Sequence, residues 1–123
     1  MSIKEYSDFN DGANWQAQCV LAYLREHLKE KENINVVRYN NCREQGYIFF
    51  KQEENRQMNV AVYEHRNSDS ICIVAFERLT KEPQNSDVWD FMTNKWDTTA
   101  DFDYGHIVDC GEAIIDIFDE FDL

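Results

Sequence analysis

YIFFKQEENRQMNVAVYEHRNSDSICIVAFE, residues 47–77, holds three apolar runs separated by two polar turns. Each run is six to eight residues long and rich in Val, Ile, Phe and Tyr, the composition of strands. The spacing predicts strands over Tyr47–Gln52, Met58–His65 and Ile71–Glu77. Met58–His65 alternates apolar and polar. Ile71–Glu77 is apolar at nearly every position, as is Ile48-Phe49-Phe50. Such strands belong at the centre of a sheet or in a sheet covered on both faces. Upstream, Ile34–Tyr39 predicts a further strand, and NNCREQG, residues 40–46, reads as its turn. The short connections favour an antiparallel meander.

Helical periodicity flanks this block. Ala13, Ala17, Val20, Leu21, Leu24 and Leu28 share one face, which predicts a helix from about Ala13 to Glu32, ended by Asn33. Trp15, Cys19 and Ala22 form a second stripe, either covered within the chain or offered to a partner. After KEPQN, residues 81–85, Ser86 is a suitable N-cap for a short helix ending near Trp96, with Val88, Phe91 and Met92 inward. Residues 97–109 read as a strand over Phe102–Val108 or an ordered loop. A final helix follows, with Asp109 as N-cap, Glu112 as its capping-box partner, and Ile114, Ile117, Phe118 and Phe121 on one apolar face. The expected fold is α+β: one acidic domain over 1–123, with an N-terminal helix, a four-stranded antiparallel meander sheet and two C-terminal helices.

Charge is distributed unevenly. The chain has 24 acidic and 12 basic residues, a formal charge of −12. Nine of the acids lie after Lys95, the last basic residue: Asp97, Asp101, Asp103, Asp109, Glu112, Asp116, Asp119, Glu120 and Asp122. The rest of the chain is nearly balanced. Acids at a helix C-terminus oppose its dipole, and like charges four residues apart repel. Local rules broken repeatedly in one place point to function.

These nine residues are the candidate partner-binding site. The expected activity is non-enzymatic: an acidic inhibitor or interaction protein that blocks a basic partner, a nucleic-acid-binding protein or nuclease, by nucleic-acid mimicry. Small anti-restriction, anti-CRISPR and nuclease-immunity proteins supply the analogy by size and charge alone. One alternative is a plain interaction module with an aromatic contact through Trp15 or Trp89, its acidity serving solubility. The other is a single EF-hand-like calcium site at 101–112, where Asp101, Asp103, Asp109 and Glu112 fall at positions one, three, nine and twelve of the loop. That loop departs from the pattern at His106, where Gly makes the sharp turn.

Other chemistries find little support. Cys19, Cys42, Cys72 and Cys110 form no C-x-x-C pair. His27, His65 and His106 adjoin no nucleophile signature. No P-loop or dinucleotide fingerprint is present, and no catalytic residue or cofactor is expected. Gly46-Tyr47-Ile48-Phe49-Phe50 has the aromatic spacing of an RNA-recognition strand but lacks its basic residue and its element order. An acidic chain repels phosphate, so no direct nucleic-acid contact is expected. The polar N-terminus lacks an export signal and no stretch has the length of a membrane span, so the expected compartment is the cytoplasm, with reduced thiols.

Overall fold

The alternation read in residues 34–77 builds the centre of a five-stranded antiparallel sheet in the computed structural model, with strands β1 (Asn35–Asn41), β2 (Glu44–Gln52), β3 (Gln57–His65), β4 (Ile71–Arg78) and β5 (Thr98–Phe102) in sheet order β1-β2-β3-β4-β5. Two helices, α1 (Trp15–His27) and α2 (Ile107–Glu120), flank it in sequence among the described residues. The structure describes residues 2–3, 5–6, 15–28, 33–41, 44–65, 71–78, 82–84, 98–102 and 107–120. The fold is therefore α+β around an antiparallel meander, as the sequence implies. The short helix expected over 86–96 lies outside the described residues.

Strand register explains how both faces are filled. Val36, Tyr47, Phe49, Met58, Val60, Val62, Ile71, Ile73 and Ala75 point to one face, together with the buried sides of α1 and α2. Tyr39, Ile48, Ala61, Tyr63, Val74 and Phe76 point to the other, which is also buried. The doubly apolar strands β2 and β4 thus lose both faces to the interior, the arrangement their composition requires. The aromatic run of β2 is core on both sides, Tyr47 and Phe49 on one and Ile48 and Phe50 on the other.

Strand ends differ from the sequence reading where polar side chains hold the ladder together. The expected turn over 40–46 shrinks, because Asn41 pairs with Glu44 and leaves a two-residue connection. Tyr39 donates its hydroxyl hydrogen to the buried Glu44 carboxylate at 2.5 Å, and Gln45 donates to Asn40 Oδ1 at 2.5 Å. Arg38 donates to the carbonyls of Tyr39 and Gly46 and to Gln45, with its guanidinium 5.7 Å from the centre of the Tyr47 ring. Gly46 is required here. A Cβ at this position would meet the Val62 carbonyl oxygen at 1.9 Å, so only glycine lets β2 approach β3 this closely.

Three boundaries are corrected. The sheet has a fifth strand at Thr98–Phe102, upstream of the 102–108 reading; Thr98 and Thr99 supply β-branched residues that suit an edge. The last helix starts at Ile107, one half-turn before the expected cap. Asp109 therefore sits inside the first turn, where it favours the helix dipole rather than capping it. The first helix runs over Trp15–His27, with Leu28 N still donating to the Leu24 carbonyl at 2.8 Å. Asn33 then takes a left-handed backbone, φ 71°, which Asn tolerates better than most residues.

One core element was not visible in the sequence. Ile3 in the polar N-terminus is fully buried, and its amide donates to the Ile34 carbonyl at 2.9 Å. Tyr6 meets the Tyr47 ring edge-on at 5.8 Å.

Candidate functional site

The helix α2 positions the acidic site. Its buried side is Cys110, Gly111, Ile114, Ile117 and Phe118, packed against α1 and β4. Gly111 lets the two helices close on each other: a Cβ there would lie 2.2 Å from the Tyr23 ring of α1. Ile114 and Phe118 are fully buried, and Phe121, the fourth expected anchor, lies outside the described residues. Burial of a large apolar side chain contributes about 1.5–3 kcal/mol. Three of them outweigh opposing surface terms below about 1 kcal/mol each.

The opposite side is exposed and acidic: Asp109, Glu112, Asp116 and Asp119 all face solvent. At 3.6 residues per turn these four fall within an arc of about 80°, centred opposite the buried side. At a rise of 1.5 Å per residue they span about 15 Å, one carboxylate every 5 Å or so. The last turn contains no basic residue.

Two of the remaining candidates are described. Asp101 stands in β5 opposite Cys72, and Glu120 is the last residue of α2. Asp97, Asp103 and Asp122 lie outside the described residues. Four of the nine candidates are thus brought onto one exposed helical stripe.

Part of the calcium-loop reading falls on described residues. Asp101 and Phe102 belong to β5, and Ile107 to Glu112 belong to α2. Half of the twelve positions are helical, where carbonyls such as that of Ile107 point along the axis into the helix rather than round an ion. Among the described residues, no group of three His, Cys, Asp or Glu side chains stands close enough to hold a metal ion.

Under the helices lies a cluster that sequence spacing does not reveal. Glu64 of β3 is 6% exposed, on the helix-facing side. Burial first, and then the Glu64 charge, push the Cys110 thiol up to about 12. The same two causes raise the Cys19 thiol. Both thiols are therefore protonated near neutral pH and behave as packing rather than as nucleophiles.

His27 is held by α1 itself. Its ring stacks on Tyr23 at 4.0 Å, with Nδ1 2.9 Å from the Tyr23 carbonyl oxygen. Of the aromatic alternative, Trp15 opens α1 and Trp89 lies outside the described residues; Ala22, on the same stripe as Trp15, is exposed. Among the described residues, no helix is long and apolar enough to cross a membrane. No protein-family model, curated protein or solved structure matches the chain.

Proposed function

We propose that this chain is a non-enzymatic acidic inhibitor that occupies the nucleic-acid groove of a basic protein, such as a nuclease or another nucleic-acid-binding protein. One observation carries the reading. Asp109, Glu112, Asp116 and Asp119 form an exposed stripe on a helix whose other side is buried. A stripe fixed in this way binds without first ordering a loose chain, which lowers the entropic cost of association. Its charge spacing, about 5 Å, is of the same order as the 3.4 Å axial rise per phosphate on one DNA strand. The acidic potential also attracts a basic partner from a distance and speeds encounter. Cytoplasmic nucleic-acid enzymes are the partner class this chemistry fits.

The test is affinity capture on the immobilised full chain, followed by elution with either salt or a short DNA duplex. The reading expects basic proteins that release with duplex DNA, and whose association slows as salt shortens the screening length below about 8 Å. The variant Glu112→Gln/Asp116→Asn/Asp119→Asn is expected to retain none of them. Equal retention by that variant at high salt would assign the contact to apolar surface instead.

A further inference from the structure

Gln57 and Asn59 stand two residues apart on β3, on the sheet face away from the helices, and each is 1% exposed. A chain of hydrogen bonds fixes how their amides are turned. Gln52 Nε2 donates to the carbonyls of Glu53 at 2.8 Å and Arg56 at 3.4 Å. Its Oε1 is therefore the atom presented to β3, and Gln57 Nε2 donates to it at 2.9 Å. Asn59 Nδ2 donates to the carbonyls of Gln57 at 3.1 Å and Phe76 at 3.4 Å. Turning either amide over would set oxygen against oxygen.

Two acceptors remain. Gln57 Oε1 and Asn59 Oδ1 have no hydrogen-bond partner among the described residues. Buried polar atoms are nearly always paired, because an unpaired one forfeits its hydration for nothing. Asn59 lies in register between Phe50 and Phe76, both buried, and Gln57 lies between Gln52 and Arg78.

We propose that Gln57 and Asn59 share one internal water molecule, which donates a hydrogen bond to each oxygen. The strand rise sets the two residues about 7 Å apart at the backbone. A water that donates both its hydrogens, about 105° apart, in bonds of about 2.8 Å joins oxygens about 4.5 Å apart, a gap that two amide side chains close readily. Water supplies two donors and no charge. An ammonium ion supplies the same donors, but its charge would enter a buried site whose ladder neighbours include the cationic Arg78 and no carboxylate. The bound water completes a network running from the β2–β3 turn, through Gln52, Gln57 and Asn59, to the Phe76 carbonyl of β4. It is a structural position that pins the turn to the sheet.

Water-to-protein NOE and ROE spectra of the isotope-labelled full chain resolve the Gln57 and Asn59 side-chain amides. The expected result is a cross-peak from both amides to water, with NOE and ROE of opposite sign, as for a water held longer than molecular tumbling. In Asn59→Leu the Gln57 cross-peak is expected to vanish; if that variant does not fold, the native spectrum decides alone. Absent cross-peaks, or the sign given by surface water, overturn the proposal. A saturable shift of both amides in ammonium chloride, but not in sodium chloride of equal strength, also overturns it and gives the site to a cation.

Discussion

The helices α1 and α2 pack against each other on one side of the sheet, yet they treat charge in opposite ways. The last turn of α1 carries Arg25 and His27, which suit the negative end of its dipole. The last turn of α2 carries no basic residue and ends with Asp119 and Glu120. Both helices bury an apolar side: Leu21 and Leu24 in α1, Ile114 and Phe118 in α2. Packing therefore holds each of them in place, and only one has a surface that opposes its own helix. The proposed partner contact rests on this contrast in charge.

The largest effects should come from what the helices share. Phe118→Ala removes a fully buried ring and is expected to cost about 3–5 kcal/mol in denaturant unfolding. Leu24→Ala in α1 is expected to cost about 2–5 kcal/mol. A cost below about 1 kcal/mol for Phe118→Ala alone would break the equivalence and leave α2 loosely docked.

Gly111→Ala probes the contact between the two helices. Ala is the better helix former by about 1 kcal/mol, yet its Cβ would enter the Tyr23 ring. A net loss of about 1–3 kcal/mol is expected. Adding Tyr23→Ala should restore part of it, and a double-mutant cycle measures that coupling.

Alkaline pH tests how tightly α2 closes over Glu64. Cys110 has a folded value raised to about 12 from an ordinary 9.0. Its thiol ionises first in the unfolded chain, so stability is fully present below about 9 and falls as pH rises from there towards 12. Cys110→Ala should flatten that fall relative to the native chain. An unchanged slope would mean that Cys110 is wetter than its burial implies.

The smallest effect concerns the contrast itself. Asp116→Asn removes a like-charge pair with Glu112 four residues away, so stability should rise by a few tenths of a kcal/mol. A clear loss of stability would show that the acidic stripe supports the fold.

Strand positions were legible because alternation and doubly apolar runs of this length fit few structures besides a strand. Residues 71–77 predicted burial on both faces, and Ile73, Val74, Ala75 and Phe76 are all at most 2% exposed. The β5 strand was obscured because TTADF is short, contains an acid and lies within an acidic run. Ile3 and Tyr6 were missed for a different reason: isolated apolar residues in a polar segment have no period to read. The start of α2 was displaced because Asp109 and Glu112 have capping-box spacing, while Ile107 and Val108 ahead of them look like strand. Glu112, Asp116 and Asp119 were legible as one face from helical spacing, whereas Asp109, read as the cap, joins them only because the helix starts at Ile107. The Cys19–Glu64–Cys110 cluster was not, because its members come from three elements far apart in sequence.

A preformed acidic face requires α2 to be fixed before any partner arrives. Native-state hydrogen exchange of the free chain measures this directly, at the amides of Ile114, Ile117 and Phe118. Protection comparable to that of Leu21 and Leu24 in α1 is predicted, since both sets lie within helices anchored in the same core. Complete exchange of the α2 amides at the first time point, with α1 still protected, would contradict it.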